Sequence, residues 1–397
     1  MPRLPDTRKA LPVVDTRLSE EQQDLVAEVA RFAREVVAPV SAHHDETKTF
    51  PYAVVEQMAA MGLFGLPFPE EVGGMGGDYL TLCLAIEELA RVDQSVAITL
   101  EAAVSLGAMP VYRFGTNEQK QRWLPELVSG RRLGAFGLTE SGAGSDAGSM
   151  RTTAVRGGKG WIINGTKEFI TNSGTDITSL ITVCAVTGRK PDGRPEFSSF
   201  LVPIGTPGLT VEPAYSKVGW HASDTHPLTF VNVEVEENAL LGEQGRGYSN
   251  FLSILDEGRI AIAALATGAA QGCVDESVKY AQQREAFGKP IAGFQSIAFM
   301  IADMEARAQT ARAMWRHAAS LMLAGEPYKR EAAIAKLIAG DAAMANARAA
   351  TQIHGGYGFM NEFPVARHYR DSKILEVGEG TSEVQRMVIA RDMGLSS

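Results

Sequence analysis

The stretch TTAVRGGKGWIINGTKEFIT, residues 152–171, contains three short runs of β-forming residues separated by glycine-containing turn signals. The runs are residues 152–155, 161–163 and 166–170, and the Asn164-Gly165 pair between the last two is the strongest short signal for a hairpin turn. Similar runs follow at residues 177–186, 198–202, 209–211 and 228–235. Because no helical pattern separates these strands, the sequence predicts two packed sheets or a barrel rather than a parallel βαβ sheet.

Helical patterns flank this β segment on both sides. Ser19 and Gln22 resemble a capping box, the apolar residues after them recur at helical spacing, and Pro39 is expected to end that helix. After Tyr248 the β signals vanish, and three long helical stretches at 251–283, 294–324 and 330–354 indicate an antiparallel bundle of about four helices. The sequence therefore predicts an α+β multidomain chain. Its parts are an N-terminal α-helical domain at 1–133, a middle β-sandwich or barrel-like domain at 134–244 and a C-terminal four-helix bundle at 245–397.

Size and composition restrict the class of protein. The 397 residues are 45% hydrophobic, which is enough for two or three cores, and no apolar run approaches the length of about 20 residues that a membrane span needs. The net charge of −9 without a basic run argues against nucleic acid or an anionic membrane as the main partner. The cysteines Cys83, Cys184 and Cys273 lack metal-site or disulfide spacing, so we expect no metal. Reduced cysteines and an N-terminus unlike a signal peptide indicate a cytoplasmic protein.

One carboxylate has an unusual setting near the C-terminus. Glu379 lies between Gly378 and Gly380, directly before Thr381, which resembles a helix N-cap. The two glycines permit unusual backbone angles and close approach of a ligand, so Glu379 could be aimed into a cavity. The alternative is a solvated glutamate beside an ordinary helix cap.

A second candidate is the glycine-rich loop TESGAGSD at residues 139–146. Gly142 to Ala147 matches the GxGxxA dinucleotide fingerprint, but hairpins follow where that fingerprint needs a helix, which argues against a nicotinamide enzyme. The remaining interpretations are a loop whose amide and hydroxyl donors hold a ligand, or an ordinary surface loop.

Three further segments could contact a ligand, and the first two have an ordinary structural interpretation as well. Phe169 and Thr171 should share one side of a strand and could flank a flat ring, or could belong to an ordinary half-buried strand. Arg284 and Phe287 could bind a phosphate and cover an adenine, or could simply mark a helix end. The glycines after Gln352 permit close approach of the backbone to a ligand.

Taken together and in order, these motifs resemble the acyl-CoA dehydrogenase family along nearly the whole chain. The matching segments are LSEEQQ (18–23), PEEVGGMGGDYL (69–80), TESGAGSD (139–146), EFITN (168–172), REAFGKPI (284–291), QIHGGYGF (352–359) and GEGTSEVQR (378–386). The resemblance implies a helical, a β and a four-helix domain, usually assembled as a homotetramer. It also implies FAD as cofactor, an acyl-CoA substrate, electron-transferring flavoprotein as electron acceptor, and a place in fatty-acid oxidation, in a cytoplasm that we expect to be bacterial.

The resemblance assigns roles residue by residue. Glu379 matches the catalytic base, which removes the α-proton while the flavin N5 takes the β-hydride to give a trans-2-enoyl-CoA. The matches to FAD contacts are Phe136, Leu138, Thr139, Gly144, Ser145, Phe169, Ile170, Thr171, Thr381 and Glu383, with Arg284, Phe287, Gln295, Gln352, Gly355 and Gly356 for the ADP part across a subunit interface. Ser145, Asp256, Arg259 and Gly380 match contacts to the substrate.

Several positions depart from the family pattern or decide between its branches. Some relatives carry the base just before the arginine of the Asp-x-x-Arg set, where this chain has Gly258, so Glu379 is favoured. Ser141 replaces a usual proline, Gly378 replaces a frequent aromatic residue, and Trp220 stands where many relatives have a smaller side chain. The last two changes predict an altered acyl preference, towards branched or bulky chains. An acyl-CoA oxidase is the nearest alternative, although we expect its extra C-terminal domain to be absent. A flavin-carrying DNA-binding homologue would need a basic C-terminal surface, whereas the helices after Arg284 carry comparable numbers of acidic and basic residues.

Overall fold

The computed structural model describes residues 17–158 and 160–395. Its N-terminal part is helical, and the predicted capping box is confirmed, because the Ser19 and Gln22 side chains each accept a hydrogen bond from the other's backbone amide. Pro39 does not end the first helix as predicted. A π-helical turn at Ala33–Val37 carries the chain into the next helix, where Pro39 lies at the first turn and needs no intrahelical donor. The helices are α1 Glu20–Phe32, α2 Ala38–Thr47, α3 Tyr52–Ala60, α4 Tyr79–Ala90, α5 Gln94–Glu101, α6 Met109–Phe114 and α7 Asn117–Val128.

A continuous helical run crosses the centre of this part. It consists of α5, a π-helical segment at Ala102–Ala108 and α6. Contrary to the sequence-based expectation, Gln94–Phe114 is long and apolar enough to cross a membrane by length and composition. The polar residues scattered along it conceal this in the sequence. Because 89% of its apolar window is buried inside the protein, the run has the packing of a core helix.

Among the described residues, the middle part forms a single hydrogen-bonded sheet of eight strands. Its spatial order is β6-β7-β3-β2-β4-β5-β8, with β1 paired in parallel to β4. The indole of Trp161 on β3 contacts the ring of Phe200 on β5 at 5.1 Å between centroids, so the sheet curls over one core, as the barrel-like prediction requires. The strands are β1 Leu133–Gly137, β2 Thr153–Gly157, β3 Gly160–Thr171, β4 Thr178–Arg189, β5 Pro195–Pro203, β6 Leu209–Val211, β7 Thr225–Glu236 and β8 Leu240–Leu241.

The prediction of a hairpin turn at Asn164-Gly165 was wrong. The chain turns between β2 and β3 near Gly158, and β3 passes straight through the Asn-Gly pair. There the pairing with β7 shifts register, Gly165 has φ +147°, and the Asn164 Oδ1 accepts the Asn232 amide at 2.8 Å. The pair is therefore a β-bulge whose glycine leaves no room for a side chain beside Thr152.

The C-terminal part is a helical bundle. Its helices within the described residues are α8 Gly247–Gln283, α9 Gln295–Leu323, α10 Lys329–His354, α11 Pro364–Ser372 and α12 Ser382–Asp392, and a two-stranded ladder joins β9 Glu285–Ala286 to β10 Lys289–Pro290. This small ladder was not predicted. α4 packs closely on α8, where a Cβ at Gly268 would lie 2.1 Å from the Glu87 carbonyl oxygen. The Glu87 carboxylate also accepts hydrogen bonds from Arg312 and Trp315 on α9, which fixes the helical N-terminal part to the bundle. The exact domain boundaries after residues 133 and 244 stay a prediction.

Candidate active site

Glu379 lies in a short loop between a 3₁₀ turn at Lys373–Glu376 and α12. Its φ is +52°, an uncommon conformation for a residue with a side chain, which the adjoining Gly380 at φ +93° helps the chain to adopt. Thr381 caps α12 as predicted, because its hydroxyl accepts the Val384 amide at 3.2 Å. The solvated interpretation was wrong, since both carboxyl oxygens of Glu379 are buried.

Two buried side chains hold this loop by its carbonyl oxygens. The Gln385 amide nitrogen donates to the carbonyls of Glu379 at 3.2 Å and of Gly380 at 2.9 Å. The Lys336 ammonium on α10 donates to the Gly380 carbonyl at 2.7 Å. These bonds fix the backbone and leave the Glu379 side chain free to point inward.

The Glu379 carboxylate faces α8 at Gly258. A Cβ built on Gly258 would lie only 2.5 Å from Glu379 Oε2, so the missing side chain at that position makes the space that the carboxylate occupies. Burial raises the pKa of Glu379 to about 7, against the opposing effect of the positive charges of Lys336 and Arg259. Burial likewise lowers the pKa of Lys336 to about 8. Glu257, the alternative acid on α8, instead forms an ion pair of 3.0 Å with Arg113.

Glu101 is the residue that the sequence-based prediction missed. It ends α5, it is fully buried, and its carboxyl group lies within hydrogen-bonding reach of the Glu379 carboxyl group. Burial and the neighbouring Glu379 charge raise the pKa of Glu101 well above its usual value of 4.5. A signal was available, because Glu101 is the only acidic residue in the apolar run 94–114.

The residues predicted to contact CoA lie on two different elements. Asp256 and Arg259 form an ion pair one turn apart on α8, and Asp256 is also 3.4 Å from the Lys329 ammonium. Arg259 is close enough to Glu379 to affect its pKa, so α8 joins the predicted CoA contacts to the predicted base. Ser145 lies elsewhere, exposed in the glycine-rich loop.

The glycine-rich loop is fixed by hydrogen bonds on its buried side and is exposed on its outer side. Inside, the buried Glu140 carboxylate accepts hydrogen bonds from Lys167 at 2.8 Å, from the Arg151 amide at 2.6 Å and from the Thr152 amide at 2.9 Å. Outside, Gly144 is exposed and a Cβ there would meet no atom within 4 Å among the described residues. The loop can therefore approach a ligand without losing its shape.

The predicted residues at the start of this loop are less accessible. The ring of Phe136 stacks on Phe251 at 4.0 Å between centroids, and Leu138 is buried, so both side chains belong to the core. Thr139 is half-buried, and its carbonyl accepts the Glu168 amide at 2.9 Å. This bond ties the loop to the next motif on β3.

The segment with Phe169 and Thr171 is not the regular strand that its sequence-based interpretation assumed. Phe169 has φ +61°, and the pairing with β7 shifts register between Lys167 and Ile170, so the simple alternation that would put Phe169 and Thr171 on one side is broken. The bulge leaves the Phe169 ring 64% exposed beside Tyr215, whereas Ile170 is buried and Thr171 is half-buried. An exposed aromatic ring held by a strained backbone is typical of a ligand-binding position.

A separate cleft lies at the other end of α8. It encloses about 520 Å³ and brings Arg284 together with Gly355 and Gly356, beside His354 and Tyr357. Phe287, Gln295 and Gln352 are exposed, and Phe287 is 96% exposed with φ +53°. Arg284 directly follows α8 and lies 26 residues after Gly258, which at 1.5 Å per residue separates this cleft from Gly258 by about 39 Å.

The remaining predictions concern Glu383, Trp220 and metal ions. Glu383 is exposed in the first turn of α12, next to the capping Thr381, and Trp220 is held by bonds from its amide to Asp371 at 2.6 Å and from its indole to Gln94 at 3.3 Å. Across residues 17–158 and 160–395, no group of three or more His, Cys, Asp or Glu side chains is arranged to hold a metal ion.

Comparison with known proteins covers all three parts of the chain. Family models match at residues 19–131 (acyl-CoA dehydrogenase, N-terminal domain), 135–233 (middle domain) and 245–394 (C-terminal domain). The chain is 47% identical over 376 residues to the probable acyl-CoA dehydrogenase YngJ of Bacillus subtilis, covering 95% of this chain and 98% of that protein. It is 42% identical over 379 residues to the short-chain specific acyl-CoA dehydrogenase of Megasphaera elsdenii, covering 94% and 98%.

Solved structures agree with these relatives. The three-dimensional structure of butyryl-CoA dehydrogenase from Megasphaera elsdenii superposes with a TM-score of 0.91 at 42% identity, covering 95% of this chain and 99% of that one. A chain from the structure described as electron transferring flavoprotein of Acidaminococcus fermentans gives a TM-score of 0.92 at 42% identity, covering 96% and 99%. The protein belongs to the acyl-CoA dehydrogenase family.

Proposed function

We propose that this protein dehydrogenates an acyl-CoA thioester between its α and β carbons to give a trans-2-enoyl-CoA, with Glu379 as the base. The observation that carries the proposal is the setting of Glu379, a buried carboxyl group on a strained, tightly held loop with a pKa of about 7. A group with this pKa is partly ionised at neutral pH, so it can accept a proton and later release it.

The α-proton of a thioester is too weakly acidic for a carboxylate to remove without stabilisation of the enolate oxygen. We assign this role in part to the backbone amide of Glu379, whose position the bonds from Gln385 and Lys336 to the loop keep fixed. The positive charges of Arg259 and Lys336 near the carboxylate favour its ionised form before the reaction. Burial opposes that form, and a modest change of surroundings therefore suffices to protonate it.

The residues present fit FAD. Phe169 offers an exposed ring at a strained bulge, and the glycine-rich loop has open space outside Gly144. We propose that Thr139, Ser145, Phe169 and Thr171 hold the flavin and pyrophosphate, and that Thr381 and Glu383 contact them from α12. FAD, when bound, supplies the acceptor for the hydride that leaves the β carbon.

The cleft at Arg284 supports a shared site and hence an oligomer. The cleft lies about 39 Å along α8 from Gly258, which the Glu379 carboxylate faces, so it is a separate binding surface from the pocket at Glu379. We therefore propose that Arg284, Phe287, Gln295, Gln352, Gly355 and Gly356 hold the ADP part of FAD bound mainly by a neighbouring copy, within a homotetramer. Exposure of Phe287 and Phe359, at 96% and 86%, is consistent with surfaces that another copy covers.

Short acyl chains are the proposed substrates, with CoA contacted by Ser145, Asp256, Arg259 and Gly380. Relatives named short-chain specific support this choice over the branched or bulky chains expected from Gly378 and Trp220. A Cβ at Gly378 would have only ordinary contacts, 3.4 Å and more, so this glycine is not required by packing. We propose electron-transferring flavoprotein as the electron acceptor and the bacterial cytoplasm as the location.

Anaerobic bleaching of the flavin tests the proposal. The purified protein should carry a flavin absorption band that butyryl-CoA bleaches faster than octanoyl-CoA or isovaleryl-CoA does. Glu379→Gln should slow bleaching by a factor on the order of 10²–10⁴, because the amide cannot accept the proton. Glu376→Gln is the matched control, since this nearby glutamate pairs with Lys373 at 2.6 Å and should leave the rate unchanged.

Two outcomes would contradict the assignment. Bleaching at the wild-type rate in Glu379→Gln would exclude Glu379 as the base, and no bleaching by any acyl-CoA would exclude the activity. Rapid turnover with oxygen alone would favour the oxidase alternative.

A further inference from the structure

Glu101 is a buried acid to which the proposed reaction gives no role. It is fully buried at the end of α5. Neither of its carboxyl oxygens has a well-oriented hydrogen-bond donor among residues 17–158 and 160–395, and the same holds for Glu379. A buried polar group without a partner costs about 1–3 kcal/mol, and more if charged, so two of them side by side need an explanation.

A single proton would satisfy both groups. The two carboxyl groups lie within hydrogen-bonding reach of each other, but a carboxylate can only accept, so a bond forms only if one of them is protonated. Two ionised carboxylates in contact would repel each other strongly in a buried site. One acid and one carboxylate form a strong, charge-assisted hydrogen bond instead.

The surrounding charges decide which group keeps the proton. The cations Lys336 and Arg259 act on Glu379, where they favour the ionised form. On the Glu101 side the neighbours are the Ser105 hydroxyl, which hydrogen-bonds to Tyr79 at 2.9 Å, and Glu379 itself. Burial raises the pKa values of Tyr79 and Cys83, which keeps them neutral, and Glu257 is already paired with Arg113. The negative charge therefore belongs on Glu379 and the proton on Glu101.

The helix changes its geometry at this point. α5 ends at Glu101, and the π-helical segment Ala102–Ala108 follows without a break. That segment carries Ser105, the residue whose hydroxyl lies between Glu101 and Tyr79. π-helical turns occur often at functional sites, where they reposition side chains that a regular helix would direct elsewhere.

We propose that Glu101 is a positioning residue that stays protonated and donates a hydrogen bond to the Glu379 carboxylate before acyl-CoA binds. The inference rests on the proposed role of Glu379 as base. The bond holds the carboxylate in one orientation and keeps it ionised. An arriving substrate must replace this bond, and the freed carboxylate then becomes a stronger base beside the α-proton.

Two variants of Glu101 separate this role from simple packing. In the flavin-loaded enzyme, Glu101→Leu fills the space but donates nothing, so the acidic limb of the profile of kcat/KM against pH should move up by about one pH unit. Glu101→Gln can still donate through its amide, so its acidic limb should stay near that of the wild type. Butyryl-CoA is the substrate for each profile.

Three results would overturn the proposal. Profiles of both variants that coincide with the wild type would show that Glu101 does not act on Glu379. An equal shift of the acidic limb in both variants would indicate a packing effect. A shift in Glu101→Gln but not in Glu101→Leu would show that hydrogen-bond donation to Glu379 is not what Glu101 contributes.

Infrared difference spectroscopy of the substrate-free protein provides a second readout that does not depend on activity. The wild type minus Glu101→Gln spectrum should contain the carbonyl stretch of a protonated carboxylic acid. Subtraction is needed because burial also raises the pKa of Asp371 to about 7, so that acid contributes its own band. Absence of the band from the difference would refute the protonated state of Glu101. If no acyl-CoA is oxidised at all, the proposed function fails, while this spectrum still decides whether Glu101 is protonated.

Discussion

Buried glutamates in two regions of the protein differ in whether hydrogen-bond donors surround their carboxyl groups. In the glycine-rich loop, the Glu140 carboxylate accepts hydrogen bonds from Lys167 and from two backbone amides. Near α8, Glu379 and Glu101 lie together, and both of their carboxyl groups lack a well-oriented donor within the described part of the chain. Burial raises the pKa of Glu140 less than its donors lower it, whereas burial prevails at Glu379 and Glu101.

This difference separates a group that supports the fold from groups that are available for chemistry. A buried carboxylate with all its partners is a fixed part of the structure, and its proton is hard to change. A buried carboxyl group without donors is costly to the fold, but it can gain or lose a proton near neutral pH. We interpret the Glu140 region as scaffold for the proposed flavin loop and the Glu379 region as the proposed reacting centre.

Breaking the Lys167–Glu140 ion pair should have the largest effect on stability. Lys167→Met leaves the Glu140 carboxylate buried without its cation, which costs about 3–5 kcal/mol in comparable sites. Both side chains of the pair are almost fully buried, at 0% and 8% exposed, so solvent screening does not reduce this cost. We expect a clearly lower urea midpoint and weaker flavin retention, measured together during unfolding of the holoprotein. Lys190→Met, at an exposed lysine of the same domain, is the control, and equal midpoints for the two variants would contradict the assigned role of Lys167.

A substitution beside Glu379 should lower activity rather than stability. Gly258→Ala places a Cβ 2.5 Å from Glu379 Oε2, and the flexible carboxylate can move away at little cost to the fold. Because a displacement of about 1 Å at a reacting group can cost about 100-fold, we expect kcat/KM for butyryl-CoA to fall by about 10- to 100-fold. The thermal midpoint should change little.

A control separates this steric effect from the general effect of removing a glycine. Gly188→Ala adds a Cβ whose nearest neighbour is 3.8 Å away and should leave kcat/KM unchanged. A lower thermal midpoint with full activity in Gly258→Ala would show that Gly258 serves packing and not the position of the carboxylate.

The same contrast explains what the sequence could predict. Helix and strand periodicity, together with the motif order, predicted the helical, β and helical parts, because these patterns are local. The cap at Thr381 was predicted for the same reason, since it depends on one hydroxyl and an amide three residues later. Asn164-Gly165 was misassigned because the register of β3 against β7 decides between a turn and a bulge, and that register depends on residues about 65 positions away.

Contacts between distant segments account for the rest of the site. Glu101 and Glu379 are 278 residues apart, and only the packing of α5 against the bundle brings them together. The glycine at position 258 was recognised as unable to act as a base, but the reason for its small size appears only when the Glu379 carboxylate occupies its space. Phe169 was expected on a regular strand, and its positive φ could not be deduced from β propensity.

The last prediction is a pH-dependent change in stability that has opposite signs in the two regions. Glu101 has an ordinary pKa of 4.5 when unfolded and a much higher one when folded. Its contribution to stability is therefore fully present below pH 4.5 and is lost as the pH rises, by up to about 1.4 kcal/mol per pH unit. Glu101→Gln does not titrate, so its thermal midpoint should exceed that of the wild type by an amount that grows from pH 5 to pH 7.

Glu140 supplies the opposite case. Its folded pKa lies below 4.5, so its stabilising contribution is present above pH 4.5 and is lost as the pH falls through the folded pKa. Glu140→Gln should therefore have a lower midpoint than the wild type at pH 7, and the gap should narrow only as the pH falls below 4.5. Thermal unfolding of both variants and the wild type, from pH 7 down to the lowest pH at which the wild type stays folded, measures the two slopes. Slopes of the same sign would mean that the two buried glutamates do not differ in the way that their hydrogen bonds indicate.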